Sequence, residues 1–419
     1  MSDFVSMNQF NPADCRAEFP ALARIIHGKP AVYLDGPAGS QVPRRVIDAI
    51  ADYLAHHNAN HGGMFATSRE SDALFAKAQA SLAIFLNAPE PEPIYFGANM
   101  TSLTFALSRA VATQWKPGDE VLVSRLDHDA NVSPWVRAAQ DRGAMVKHID
   151  IHREDCTLDL DDFKKKLSNK TKLVAVGCAS NAVGTRNPVK EMARQAHEAG
   201  ALVFLDAVHL APHAALDVQD WDCDFLACSA YKFFGPHVGI LWGKKHLLET
   251  LPAYKVRPAA ETLPDRWMTG TQNFECIAGV GAAVDYLFEV TRRAAGASAT
   301  TRASFVAGFN VIEEYERSIG ARMLEGLASI PDIHIYGITD PKRYAERVPT
   351  VSFTHRRKKP IEIAQYLGEH GIFAWHGNYY ALPLTETIGV EPDGMVRVGL
   401  LHYNTADEVD RLIETLRAI

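Results

Sequence analysis

Cysteine is sparse in this chain. Cys15, Cys156, Cys178, Cys223, Cys228 and Cys276 are scattered through 419 residues, form no C-x-x-C pair and do not cluster with histidine. That spacing excludes a disulfide framework and a zinc-type site from the expectation, and no metal is expected. No run of five or more lysines and arginines occurs, the longest being Arg356-Arg-Lys-Lys359, and the formal charge is −7, so nucleic acid is not an expected partner. Nowhere do about 18 apolar residues run without a charge, which argues against a membrane partner. The opening Met1-Ser-Asp-Phe-Val-Ser-Met-Asn8 has no basic segment followed by an apolar one, so the expected location is cytoplasmic. The one biased stretch is Ala/Thr/Ser-rich, from Arg293 to Ala303.

What is present is an ordinary globular composition, 47% hydrophobic and 22% charged, in a chain long enough for two or three domains. Candidate strands at 94–96, 120–123, 145–148, 173–176, 202–205, 225–228 and 239–242, several of them continuous apolar runs, alternate with helical spacing. The pattern predicts βαβ units around a mostly parallel seven-stranded sheet, and the continuous apolar character predicts strands buried on both faces. Between two strands, Asn187 as a cap, Pro188 in the first turn and Gly200 as a stop predict a helix. An amphipathic stretch follows at 277–328, then strands at 351–354 and 395–400 and a helix over 405–419, which together predict a smaller α+β domain. The expected division is a large domain at 33–290, with 1–32 and 291–419 forming the small one.

Lys232 is the most telling residue. It sits in Ser229-Ala-Tyr-Lys-Phe-Phe-Gly-Pro236, beyond an apolar run and about 26 residues after Asp206. A lysine beyond one strand and an aspartate ending the strand before it suit a pyridoxal phosphate (PLP) enzyme. The amine holds the cofactor as a Schiff base, and the carboxylate keeps the pyridine nitrogen protonated so that the ring accepts electrons. Asn181, Asp206, His209, Ser229 and Lys232 all follow predicted strands, where open α/β sheets bind ligands. The turn Gly97-Ala-Asn-Met-Thr-Ser102 opens a helix and suits a phosphate, with Asn99, Thr101 and Ser102 as added donors. His128 could stack on the pyridine ring or shuttle protons. Asn181 could bond the cofactor's phenolic oxygen or a substrate carboxylate, His209 could donate to the same oxygen, and Ser229 and Tyr231 could reach the phosphate. Arg397 could clamp a carboxylate. A small molecule with an amine is the expected substrate.

Taken together, Tyr33-Leu-Asp35, Asp127-His-Asp-Ala-Asn-Val-Ser-Pro-Trp135, Ser180-Asn-Ala-Val-Gly-Thr-Arg-Asn-Pro188, Asp217-Val-Gln-Asp-Trp-Asp-Cys-Asp-Phe225, the Lys232 segment and Tyr403-Asn-Thr405 resemble the class V aminotransferase branch of fold-type I PLP enzymes. The likeness is greatest to cysteine desulfurase and selenocysteine lyase-like proteins, and it spans nearly the whole chain. It implies that Lys232 carries PLP, Asp206 pairs with the ring nitrogen and His128 stacks on the ring. It places Asn181 and His209 at the cofactor oxygen, Asn99, Met100, Thr101 and Ser229 around the phosphate, and Tyr231 where histidine is usual. It further implies a homodimer with shared active sites, Thr271 reaching the other subunit's phosphate, and Arg397 on the substrate carboxylate of an amino acid.

One stretch departs. Where desulfurases carry an Arg-x-Gly-His-His-Cys loop, this chain has Ala374-Trp-His-Gly-Asn-Tyr-Tyr-Ala381, with Trp375 at the arginine position and Tyr380 at the cysteine position. A phenol cannot hold a persulfide. The expectation is therefore a lyase at the β-carbon, of C–S lyase type, without persulfide capture. Transamination, epimerisation and decarboxylative or aldol carbon–carbon chemistry are the alternatives. Lys232 is the natural base, and His128, His376, Tyr379 and Tyr380 are candidate second acid/base groups. Trp375 with the tyrosines would give the substrate pocket aromatic walls.

Overall fold

The computed structural model describes residues 10–419; the opening eight residues read above, and the start of the expected small-domain segment, lie outside the described residues. The seven expected strands are all present: β1 (Ile94–Gly97), β2 (Glu120–Ser124), β3 (Met145–Ile149), β4 (Thr171–Gly177), β5 (Leu202–Asp206), β6 (Phe225–Ser229) and β7 (Gly239–Gly243). They form one sheet in the order β1-β7-β6-β5-β4-β2-β3, parallel except for β7. β2, β6 and β7 are buried along their whole length, as apolar runs covered by helices on both faces must be.

Helices cover this sheet. Those that position the site are α1 (Ala66–Leu86), α2 (Met100–Ala112), α3 (Ser133–Arg142) and α4 (Val189–Glu198). The residue before α4 is Pro188 rather than Asn187. The Asn187 amide instead donates to Gly177 O at 2.7 Å, so this side chain ties the loop to the end of β4 and caps nothing. The amphipathic stretch after residue 273 is two helices, α5 (Phe274–Ala294) and α6 (Arg302–Ala328), separated by the biased segment and restarted by a Thr301/Ser304 capping box.

A second sheet has the order β8 (Ile333–Tyr336), β9 (Thr350–His355), β11 (Met395–Gly399), β10 (Trp375–Gly377), all antiparallel. Its core gathers Val351, Phe353, Val396 and Val398 with Leu324 and Leu327 of α6 and with Val409, Leu412 and Leu416 of the last helix, α7 (Ala406–Arg417). Thr405 opens α7 with a capping box. The N-terminal segment, read from sequence as part of the small domain, lies between the two cores. Cys15, Phe19 and Leu22 pack into the larger core, Val32 and Leu34 join the smaller one, and Arg16 pairs with Glu408 of α7 at 2.9 Å. Among the described residues no helix is long and apolar enough to cross a membrane.

Candidate active site

The carboxyl ends of β4, β5 and β6 and the start of α2 surround one cavity. Asn99, Met100, Thr101, His128, Asn181, Asp206, His209, Ser229, Tyr231 and Lys232 all line it. The parallel strands cause this convergence, because every βα connection opens at the same edge of the sheet. The antiparallel β7 contributes by closeness: a Cβ at Gly239 would come within 2.3 Å of the Asn99 backbone, so only glycine lets the strand pass beneath the α2 entry turn.

That turn is organised for an anion. Asn99 accepts from Ser102 N at 2.9 Å through Oδ1 in a capping box, which fixes its side chain at the helix start and leaves its Nδ2 donors uncommitted. Ser229 Oγ accepts from Met100 N at 3.0 Å, which leaves its own proton for another acceptor. Backbone amides at a helix start favour a phosphate.

Lys232 is 8% exposed, and its Nζ donates to the carbonyls of Pro37 and of Ala38, the latter at 3.1 Å. Burial, reinforced by Arg397, pushes its amine down to about 7. Burial raises the Asp206 carboxyl to about 6; one oxygen accepts from Val208 N at 2.8 Å. A buried carboxylate of this kind gains from a nearby cation. Asn181 donates to Tyr379 O at 2.9 Å, while its buried Oδ1 has no partner. An amine, a carboxylate, an amide acceptor and a helix start facing one cavity fit PLP. Asp127, absent from the expected set, is a further lining residue. It is wholly buried, accepts from Gly177 N at 2.9 Å and from Asn131 at 3.1 Å, and is pushed up to about 7 by burial. Its neighbour His128 accepts from Ala130 N through Nδ1 at 3.0 Å, so its ring is held edge-on to the backbone, and burial lowers it to about 4.

The small sheet supplies the rim. Arg397 is 5% exposed, donates to Asn181 O at 2.8 Å and stacks on Tyr379, 4.2 Å from the ring centre. The Tyr379 hydroxyl bonds Met395 O. Burial holds Arg397 down to about 10. Asp35, missed by sequence reasoning, has a buried Oδ1 without a partner and is pushed up to about 6 by burial. Tyr380 is 73% exposed, yet its ring stacks on His128 at 5.5 Å and 29°, and its carbonyl accepts from Asp129 N at 2.6 Å. Tyr379 and Tyr380 both have positive φ, 56° and 57°, a conformation that bulky residues adopt only when the surroundings impose it.

Other expected residues stand further out. Trp375 is 53% exposed and lies opposite Arg397 in the β10–β11 ladder. His376 is exposed on the same edge strand. Thr271 is in an exposed turn and does not line this chain's cavity. Tyr231, which lines the cavity, stacks on His237 at 5.0 Å. Among the described residues no cysteine lines the cavity. Cys15, Cys156, Cys178, Cys223 and Cys228 are buried, with the Cys178 thiol held far above its usual range by burial.

Residues 32–412 match the family model described as Aminotransferase class-V. The chain is 32% identical over 419 residues to a cysteine desulfurase of Pectobacterium atrosepticum, covering 96% of this chain and 97% of that one. It is 33% identical to a probable cysteine desulfurase of Synechocystis, covering 97% and 95%. Among solved structures, the apo cysteine desulfurase of Thermococcus onnurineus superposes with a TM-score of 0.85 at 26% identity, covering 97% of each chain. The S-sulfonic acid form of an Escherichia coli cysteine desulfurase gives 0.83 at 27% identity, covering 98% of each.

Proposed function

The chain belongs to the class V aminotransferase family of PLP-dependent enzymes, and from that premise we propose that it is a lyase acting at the β-carbon of an amino acid, releasing its leaving group without persulfide capture. The relatives' name, cysteine desulfurase, points to substrates with sulfur on Cβ. The observation that carries the departure from them is Tyr380, stacked on His128 at the cavity rim in the segment where the resemblance puts a cysteine, with no thiol lining the cavity among the described residues.

In this reading PLP, when bound, supplies the electron sink that weakens the bonds to the substrate Cα. Lys232 would hold the cofactor, and its amine, lowered to about 7, is neutral often enough at physiological pH to take the substrate's Cα proton. Asp206 secures the ring nitrogen. The α2 entry turn, with Ser229, holds the phosphate. Arg397, held in place over Tyr379 and by Asn181 O, would offer its remaining N–H groups to the substrate carboxylate. The Cβ–S bond breaks with its electron pair leaving on sulfur, which is protonated as it departs, with Tyr380 as the donor at the rim. Water converts the enamine product to a keto acid and ammonia. A homodimer and a cytoplasmic location belong to the same reading, with Thr271 of each subunit directed to the other's site.

The second reading is epimerisation or transamination, and the pairing of Tyr380 with His128 favours it, since it sets a second acid/base group beside Lys232. Incubating the purified protein with cysteine, cystine, cysteine sulfoxides and aspartate separates the readings. Keto acid together with a released β-group, and no protein persulfide, is the expected result. A shift to the pyridoxamine form without release would assign a transaminase, and a protein-bound persulfide would overturn the capture-free mechanism.

A further inference from the structure

We propose that Thr350 is a positioning residue whose hydroxyl donates to His209 Nε2 and thereby selects the tautomer that presents Nδ1–H to the cofactor cavity. The inference rests on the PLP site described above and not on the elimination reaction.

His209 lines the cavity from the loop after β5. Its Nε2 lies 3.0 Å from Thr350 Oγ1, at the first residue of β9 in the small sheet. Burial and the neighbouring positive groups, His213 and Lys232 first among them, hold the ring well below its ordinary range, so it is neutral and carries one proton on two nitrogens. A neutral imidazole in this place is a donor to the cavity in one tautomer and an acceptor in the other, and the distance alone does not choose.

Donor accounting does. Thr350 is wholly buried, and Oγ1 makes no other hydrogen bond among the described residues. If His209 Nε2–H donated to Oγ1, the hydroxyl proton would be left in a dry interior without an acceptor. If the hydroxyl donates to Nε2, both atoms of that contact are satisfied, and the one proton left without a protein acceptor is Nδ1–H, on a ring that lines the cavity where a ligand can accept it. Nothing else competes for the ring. His213, edge-on to His209 at 5.8 Å, has its Nδ1 committed to Glu316 Oε2 at 2.7 Å. Solvent cannot enter easily, because Gly399 packs against the same hydroxyl; a Cβ there would lie 3.2 Å from Oγ1. With Nε2 as acceptor, Nδ1 carries the proton, and it bonds no protein atom among the described residues. The small sheet thus determines whether the large domain's histidine can donate to an electron-rich oxygen in the cavity.

The test is the tautomer itself, read by long-range proton–nitrogen NMR on the full-length chain labelled at histidine nitrogens, with and without PLP. His209→Gln assigns the signals by removing them. The expected spectrum has Nε2 at the unprotonated shift and Nδ1 protonated in the parent and in Thr350→Ser, with the two exchanged or averaged in Thr350→Val. The PLP visible band should then titrate at a different pH in Thr350→Val and return to the parent value in Thr350→Ser. A protonated Nε2 in the parent, or a Thr350→Val spectrum identical to it, overturns the proposal. The parent spectrum decides even if Thr350→Val does not fold. Failure of the PLP reading shows separately, as a parent protein with no visible band.

Discussion

The floor and the rim of the cavity are built differently. The floor residues Asp206, Ser229 and Lys232 stand at the ends of adjacent strands of one sheet, buried and fixed by bonds to backbone. The rim comes from a four-stranded sheet in another part of the chain. It is followed by an exposed Tyr380 on a segment bent through two successive left-handed tyrosines. On the proposed reading, the contrast would make cofactor chemistry and substrate choice physically separable. A floor held by the strand ladder tolerates little change, whereas an edge segment can exchange side chains without disturbing the sheet.

Breaking the floor should have the largest effect. Lys232→Ala is expected to remove the visible PLP band and to lower turnover by at least about a thousandfold, with circular dichroism unchanged; a surviving band would remove Lys232 from its role. Asp206 comes next. Its carboxyl must be ionised to hold a protonated ring nitrogen, and burial places it at about 6, so PLP affinity should be retained above that pH. As pH falls through 6, affinity should drop by up to about tenfold per unit. Asp206→Asn should bind more weakly at neutral pH and show a shallower acid slope; equal slopes in a cofactor titration would disprove the pairing.

At the rim the effects should shrink and change in kind. Arg397→Ala is expected to raise KM for carboxylate substrates about 10- to 100-fold with kcat less affected, and an unchanged KM would place the carboxylate elsewhere. Tyr380→Phe keeps the stack on His128 and loses the proton donor. Turnover should fall by less than about tenfold with PLP content unaltered. If Tyr380→Phe lost the cofactor, the floor and rim would not be separable and the comparison would collapse.

Much of the floor was legible in the sequence. Several of the seven strands announced themselves as continuous apolar runs, although Met145–Ile149 carries Lys147 and His148 and is mostly not buried, and a parallel sheet gathers whatever follows its strands. The departures were legible only as identities: Tyr380 could be seen to replace a thiol, but not that it would stack on His128, 252 positions earlier in the chain. Asn187 had the residue type of a helix cap and became a tie to Gly177, because local propensity does not say which backbone group lies nearest. Segment 374–381 gave no strand signal, as three residues are too few for a period, yet Trp375–Gly377 is an edge strand.

The sequence by itself determined the α/β class, the strand set and the lysine–aspartate pair, because periodicity and residue type are local properties that the chain carries wherever it goes. Only the tertiary structure decided that Lys232 rests on the carbonyls of Pro37 and Ala38, that Arg397 lies over the Tyr379 ring and that Thr350 meets His209. These contacts join residues brought together by packing, and a backbone carbonyl or a buried hydroxyl announces no partner until the fold puts one within reach.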